Sequence, residues 1–311
     1  MSYLLYLLAM PAALVILLHV FSLILPRSLA HLASFAAFCI TSVVMLCVCA
    51  SYGVVASIFL RLVGYGGLSQ WTVARAFKWT MLLSTGVTFR VIDSGRVEGG
   101  RRGGDEALAT RPAVFVGNHQ TELDVLMLGC MFPKYISVTA KKSLKFVPFL
   151  GWFMALSKTV FIDRANRATA RAAFDGAANT MRQDRQSVFI FPEGTRSYAE
   201  KPELLPFKKG AFHLAIQAQV PIVPVVAANY SHVLNLKKKW FSPGVVDVSV
   251  LPAIPTTGMT AADADALTTK TRDAMLDELN RLSTLTSDGN GLASSTATGV
   301  GAASDELRKR S

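Results

Sequence analysis

Ala113-Val114-Phe115-Val116-Gly117-Asn118-His119-Gln120-Thr121-Glu122-Leu123-Asp124-Val125-Leu126-Met127-Leu128 is the stretch on which the fold of this 311-residue chain turns. A short apolar run, rich in valine and phenylalanine, ends at a glycine. A polar turn follows, and then an apolar run too long for a second short strand. An apolar run of this length bounded by turn residues predicts a strand buried on both faces, and the run beyond Thr121 predicts a helix near 123–131. Strand, turn and helix in that order form the half-unit of an α/β sheet.

Working outward, the same alternation recurs. Strands are expected at 87–92, 113–117, 135–140, 159–162, 187–191, 222–227 and 245–251. Helices are expected near 123–131, 143–156, 166–183 and 208–218. The predicted fold is therefore α/β, a mostly parallel central sheet flanked by helices. Residues 99–104, with their arginines and glycines, read as a solvent loop. Thr260 and Asp263 have capping-box spacing and open an amphipathic helix near 261–282, whose apolar positions are Leu267, Met275, Leu279 and Leu282. Residues 284–311, rich at first in Ser, Thr, Gly and Ala, read as a disordered tail.

The N-terminus is of another kind. Residues 1–60 hold a single formally charged side chain, Arg27, between apolar runs at 1–26 and 28–60. Each is long enough for a bilayer crossing, which takes roughly 20 residues. No basic leader or small-residue cleavage site suggests a removed signal peptide. Residues 1–63 are thus expected to be membrane-anchoring hydrophobic helices, and 64–283 the catalytic domain. Arg61, Arg75, Lys78 and Arg90 follow the second run, which by the positive-inside rule puts that domain in the cytosol. Around 71–85, Trp71, Phe77, Trp79, Met81 and Leu82 alternate with Arg75 and Lys78. That pattern suits an interfacial helix lying on the membrane and an ordinary core helix equally well.

Composition removes several classes. Hydrophobic residues make up 51% of the chain and charged ones 17%, but no apolar run after residue 90 is long enough to span, so a multi-span transporter is excluded. The formal charge of +11 points to an anionic partner. No zinc-finger spacing, basic zipper or RNP-like strand accompanies it, so no nucleic-acid partner is expected. Cys39, Cys47 and Cys49 lie in the apolar run and Cys130 stands alone, which is neither a disulfide framework nor a zinc site. His19, His31, His213 and His232 form no ligand cluster. No metal or redox cofactor is implied.

Four stretches carry the chemistry. In the first, a carboxylate near an imidazole fixes its tautomer and makes it a general base. Residues five apart on a helix point about 140° apart, so His119 must precede the helix and Asp124 must lie in its first turn. Thr121 and Asp124 equally fit a helix-capping pair. The second is Phe191-Pro192-Glu193-Gly194-Thr195-Arg196-Ser197 after a strand. There Gly194 permits close approach, Arg196 can clasp a phosphate with two hydrogen bonds, and Glu193 can position that arginine or meet a ligand hydroxyl; a plain turn with a surface ion pair reads the same way. The third is Phe161-Ile162-Asp163-Arg164, whose last two residues also suit a local salt bridge. The fourth, Val220-Pro221-Ile222-Val223-Pro224-Val225, has no reactive side chain and contributes shape. Lys208 and Lys209 before Gly210 either meet an anion or are solvated.

Together, in this order, the four resemble the glycerolipid acyltransferases, and among them the 1-acyl-sn-glycerol-3-phosphate (lysophosphatidic acid) acyltransferase family. The resemblance implies that His119 is the general base and Asp124 its orienting partner. It implies that Glu193, Gly194, Thr195 and Arg196 form the phosphate and glycerol site, with Arg164 as a second cation. Lys141-Lys142-Ser143-Leu144 resembles a basic segment of the family and adds Lys142. The implied reaction moves an acyl chain from acyl-CoA, the co-substrate, to the sn-2 hydroxyl of lysophosphatidic acid, giving phosphatidic acid and CoA. With no G-x-S-x-G elbow and no cysteine suited as nucleophile, the attack is expected to be direct. The expected setting is the endoplasmic reticulum membrane, or the inner membrane in a bacterium, in contact with membrane lipids. Glycerol 3-phosphate or another lysophospholipid as acceptor, or a non-catalytic lipid-binding protein, are the alternatives.

Overall fold

The computed structural model describes Leu14, Leu17, Val20 and residues 24–285 apart from Arg164. Most of the first apolar run, Arg164 and the tail beyond residue 285 lie outside the described residues.

Strands β1 (Val87–Asp93), β2 (Val97–Glu98), β3 (Arg101–Arg102), β4 (Val114–Gly117), β5 (Ile136–Lys141), β6 (Val160–Ile162), β7 (Ser187–Ile190), β8 (Ile222–Ala227), β9 (Leu234–Asn235), β10 (Trp240–Phe241) and β11 (Gly244–Val250) follow in chain order. The seven predicted strands all form, and together they make one sheet in the order β1-β11-β8-β4-β7-β5-β6. β8, β4, β7, β5 and β6 run parallel, while β11 and β1, parallel to each other, run opposite to β8. β2–β3 and β9–β10 are small hairpins. The central strands β4, β7 and β8 are buried throughout, which explains why they read as continuous apolar runs.

The helices are α1 (Arg27–Leu62), α2 (Ser69–Thr85), α3 (Gly104–Leu108), α4 (Asp124–Met131), α5 (Leu150–Leu156), α6 (Arg167–Asp184), α7 (Gly210–Ala218) and α8 over 264–285. α2 packs on α1, α4 and β1, while α6 and α7 pack on each other and on β6, β7 and β4. The single helix expected at 143–156 is instead a 3-10 turn, Lys142–Phe146, followed by α5. Pro148 is the reason: proline lacks an N–H and drives its predecessor out of helical geometry, and Val147 has ψ 123°. At the other end Asp263 accepts from the Thr260 N–H at 2.7 Å, and the capping box opens the last helix as expected.

α1 is, among the described residues, the one helix long and apolar enough to cross a membrane by length and composition. It does not stand free of the domain. Phe38 stacks on Phe241 at 4.1 Å, Cys49 Sγ lies 3.6 Å from Thr80 Oγ1, and Gly53 abuts Phe153 and Val73. Phe38 to Gly53 alone spans about 22 Å at 1.5 Å per residue. The opposite side exposes Val43, Val48, Tyr52, Val55, Phe59 and Leu62. α2 combines the two readings of its sequence: Val73, Phe77 and Met81 are buried, whereas Trp79 and Leu83 are exposed.

Candidate active site

The topology creates the site. β4 leaves through α4 to reach β5, and β7 leaves through α7 to reach β8. These neighbouring strands send their connections to opposite sides, which opens a crevice beyond their carboxyl ends. Residues 118–124 fill it from β4 and 191–198 from β7. Gly117 is required at the exit, because a Cβ there would stand 2.6 Å from Cζ of Phe189.

The loop after β4 is tied down on both flanks. Asn118 continues the ladder with β8: its Nδ2 donates to the Ala227 carbonyl at 3.0 Å and its Oδ1 accepts from the Ala227 N–H at 2.9 Å. Gln120 Nε2 donates to the Ala228 carbonyl at 2.9 Å. On the β7 side, the Ser197 N–H donates to the His119 carbonyl at 2.9 Å and the Tyr198 N–H to that of Gln120 at 3.1 Å. Both sequence motifs thus form one backbone unit.

His119 Nδ1 lies 2.7 Å from Asp124 Oδ2, and its ring stacks on Phe191 with centroids 4.0 Å apart. Asp124 Oδ2 also accepts from the N–H groups of Gln120 at 2.6 Å and Thr121 at 3.2 Å. One oxygen of Asp124 thus serves the dyad and ties the preceding turn, whereas the helix itself opens at Asp124 with Leu123 at its N-cap and no side-chain cap, so the Thr121 cap expected from the sequence does not form. Its Oδ1 accepts a 2.6 Å hydrogen bond from the hydroxyl of Tyr230. That tyrosine is wholly buried, and burial, reinforced by the Asp124 charge, holds its hydroxyl well above the ordinary tyrosine range. With Nδ1 engaged as donor, the Nε2 lone pair is the basic one, and it has no protein partner among the described residues. At its far end, α4 is held by Arg75 of α2, which donates to the carbonyls of Gly129 and Phe132. Arg75 is thus a helix clamp rather than a free charge beside the membrane.

Glu193 has a task different from the ligand contact expected of it. It is 3% exposed, and its oxygens accept from the N–H groups of His119 at 2.7 Å and Leu205 at 3.0 Å. Burial pushes its carboxyl up to about 7 against the pull of those bonds. It therefore positions the backbone of His119. Gly194 has φ +70°, and the Lys208 side chain covers it where a Cβ would project. Thr195 is exposed. Arg196 Nη1 lies 3.3 Å from Glu122, while its Nε is buried without a hydrogen-bond partner. An unsatisfied guanidinium donor at the rim fits an incoming anion. Tyr198 donates to the same Glu122 carboxylate at 2.8 Å.

Lys142 pairs with Asp163 at 3.1 Å, joining the ends of β5 and β6, and that bond holds the Asp163 carboxyl below its usual range. At about 4.8 Å per strand, β5 and β6 lie about 10 and 14 Å from β4 along the sheet. His119, Asp124, Glu193, Gly194 and Arg196 are thus brought together, and Lys142 belongs to a flanking rim. Arg164 lies outside the described residues. Among those residues, no group of three or more His, Cys, Asp or Glu is placed to hold a metal. Sequence reasoning missed Tyr230, Asn118, Gln120 and Glu122 as parts of the site. Tyr230 lies within Asn229-Tyr230-Ser231, a glycosylation pattern, in which the Asn229 amide donates to the carbonyls of Ala199 and Lys201.

A histidine with one nitrogen locked to a buried carboxylate and the other bare is equipped to activate a hydroxyl for group transfer. The class is acyl transfer: a sequence model described as Acyltransferase matches residues 101–228. The chain is 43% identical to the 1-acyl-sn-glycerol-3-phosphate acyltransferase of Saccharomyces cerevisiae over 234 residues, 75% of this chain and 74% of that one. It is 46% identical to an uncharacterized acyltransferase of Schizosaccharomyces pombe, over 75% of this chain and 80% of the other. It is 42% identical to human 1-acyl-sn-glycerol-3-phosphate acyltransferase beta, over 65% and 66%. The crystal structure of the 1-acyl-sn-glycerophosphate (LPA) acyltransferase from Thermotoga maritima shares the fold with TM-score 0.60 at 19% identity, over 83% of this chain and 98% of that one. The chain belongs to the 1-acyl-sn-glycerol-3-phosphate acyltransferase family.

Proposed function

We propose that this enzyme transfers an acyl chain from acyl-CoA to the sn-2 hydroxyl of 1-acyl-sn-glycerol 3-phosphate, releasing phosphatidic acid and CoA. The names of its relatives support the acceptor. The observation that carries the chemistry is the 2.7 Å His119–Asp124 pair with Nε2 bare at the switch point. His119 Nε2 takes the proton of the acceptor hydroxyl as its oxygen attacks the thioester carbonyl. The C–O bond forms, the C–S bond breaks, and the imidazolium returns its proton to the CoA thiolate. Asp124 holds the tautomer and offsets the imidazolium charge. Arg196 receives the acceptor phosphate, with Lys142 and Arg164 as flanking cations, and Glu193 holds the backbone of His119 in register.

The welded α1 supports attachment from one face: a stretch packed against the catalytic domain for about 22 Å cannot at the same time be surrounded by lipid. Its outer apolar stripe lies in the interface, where both lipid substrate and lipid product reside. We infer the cytosolic face of the endoplasmic reticulum membrane as its location; protease protection in microsomes tests the orientation.

The deciding assay presents purified protein with acyl-CoA and, separately, lysophosphatidic acid, glycerol 3-phosphate and lysophosphatidylcholine. Phosphatidic acid from the first, with the others slower, is the expected result. Turnover of another acceptor and none of lysophosphatidic acid overturns the assignment.

A further inference from the structure

From the last residue of β5 the chain runs along the surface for nine residues, 141–149, every one of them exposed. In this stretch and the start of α5 stand Leu144, Phe146, Val147, Phe149 and Trp152, with Phe146 78% and Trp152 54% exposed. Single apolar residues on a surface are ordinary, but a cluster this dense marks an interaction site. The stretch is rigidly built. The Val147 N–H donates to the Leu144 carbonyl at 3.2 Å and the Gly151 N–H to that of Val147 at 2.7 Å. Gly151 is required there, because a Cβ would meet the carbonyls of Lys145 and Leu144. Phe149 holds φ +59°, which a bulky residue adopts only where its surroundings impose it, and its ring meets that of Trp152 edge-on at 5.2 Å. These residues form a fixed knuckle whose rings stand in solvent.

The knuckle adjoins the outer stripe of α1. α5 packs on α1, and Phe153, next to Trp152, abuts Gly53. Tyr52 and Val55, close to Gly53 in the helix, are exposed. The knuckle also shares an edge of the sheet with the crevice: β4, β7 and β5 are parallel, so His119 beyond β4 and Lys142 beyond β5 stand at the same carboxyl ends. Its charge has one sign. Residues 141–152 include Lys141, Lys142 and Lys145 and no acid. Lys142 pairs with Asp163, whereas Lys141 and Lys145 form no ion pair among the described residues. Apolar rings set among lysines, continuous with an apolar helix, match a lipid layer with anionic headgroups: the rings sink below the headgroups and the lysines reach up to them. A two-fold dimer through the same patch would instead set these lysines against one another.

We propose that the knuckle, residues 144–152, is a second membrane contact of this enzyme, inserted beside α1 into the headgroup region of an anionic lipid layer. The proposal rests on the reading of α1 as an interfacial anchor. α1 alone leaves the molecule free to roll about the helix axis. The knuckle stops that roll and brings the carboxyl edge of the sheet, with the crevice, down to the layer from which the acceptor arrives.

The test uses the full chain bound to vesicles of phosphatidylcholine and phosphatidylserine, with bromine on the acyl chains as quencher. Comparison of each protein with its Trp152→Phe counterpart isolates the signal of Trp152 from that of the other indoles. Trp152 is expected to lose fluorescence in the brominated vesicles. Phe146→Ser removes the most exposed ring, so the ratio of inserted to free knuckle, read from Trp152 quenching, is expected to fall about tenfold or more. In Lys141→Gln/Lys145→Gln it is expected to fall about 25-fold, fivefold per lysine. In both variants the other indoles stay quenched and the unfolding temperature in detergent stays at the wild-type value. Trp152 quenching unchanged in either variant overturns the proposal. So does a raised KM for acyl-CoA in the lysine variant with that quenching unchanged, which assigns the lysines to the donor. A particle mass in detergent halved by Phe146→Ser assigns the surface to a second copy of the chain and overturns it as well. Quenching of the other indoles without Trp152 removes the knuckle and leaves attachment through α1 standing, whereas no quenching at all removes both.

Discussion

Tyr230→Phe deletes one buried oxygen that no sequence motif singles out. The hydroxyl donates to Asp124 Oδ1 at 2.6 Å, within the span of strong charge-assisted bonds, and accepts from the Thr121 N–H at 3.0 Å. Thr121 keeps its second acceptor, Asp124 Oδ2, so the new orphan is the carboxylate oxygen. A hydrogen bond to a charged group contributes about 1.5–3 kcal/mol. At roughly 2–4 °C per kcal/mol for a domain of this size, thermal unfolding should move down by about 3–12 °C. Asp124 then has one oxygen free to turn, and its grip on His119 Nδ1 loosens. A misplacement worth 1.4 kcal/mol in the transition state lowers kcat about tenfold. Acceptor KM should hold, since Tyr230 lies beneath the dyad rather than in the crevice. The assays are thermal unfolding of detergent-solubilised protein and steady-state kinetics with varied acceptor. Wild-type stability together with wild-type kcat would refute the idea that Tyr230 fixes Asp124. A rise in KM alone would place the hydroxyl at the acceptor instead.

Three further outcomes follow from neighbouring contacts. Glu193 has its carboxyl near 7 in the folded chain and about 4.3 when unfolded, so folding takes up a proton between those values. Its contribution to stability is greatest below about pH 4.3 and declines as pH rises to about 7, by at most about 4 kcal/mol. Glu193→Gln should lose that slope, and urea unfolding at several pH values checks it; parallel curves for the two proteins exclude the effect. Arg196→Lys keeps the charge but not the planar fork, so acceptor KM should rise roughly 10-fold or more with kcat little changed. An unchanged KM removes Arg196 from the phosphate site. Gly53→Leu drives a side chain into Phe153, whose Cδ2 stands 2.6 Å from the position of a Cβ. Overpacking of this kind destabilises by about 1–3 kcal/mol, and faster limited proteolysis within α1 should report its release from α5.

The sheet was legible because its strands obey local rules. Buried parallel strands such as Val114–Gly117 and Ile222–Ala227 are unbroken apolar runs flanked by turns, and all seven appear where periodicity puts them. The strand order was not legible, since β7 enters between β4 and β5 by a pairing that no local pattern encodes. The helix expected at 143–156 broke because Pro148 overrides apolar spacing. Within the site, the residues on one turn were readable: His119 and Asp124 meet across a loop whose geometry five residues suffice to set. Tyr230 was not, because 106 residues separate it from Asp124 and the fold alone joins them. Glu193 was legible as a motif residue but not in its orientation. Its buried carboxyl faces the backbone of His119, and which way a glutamate turns depends on the loop packed over it.

The central claim is that His119 Nε2 removes the proton of the lysophosphatidic acid hydroxyl. Single-turnover acyl transfer by His119→Ala, with acyl-CoA and lysophosphatidic acid both saturating, tests it most directly. General-base catalysis contributes roughly 10²–10⁴-fold, so the rate should fall by about that factor, while acceptor binding and the unfolding temperature stay near those of the wild type. Phosphatidic acid formed by the variant at the wild-type rate would contradict it.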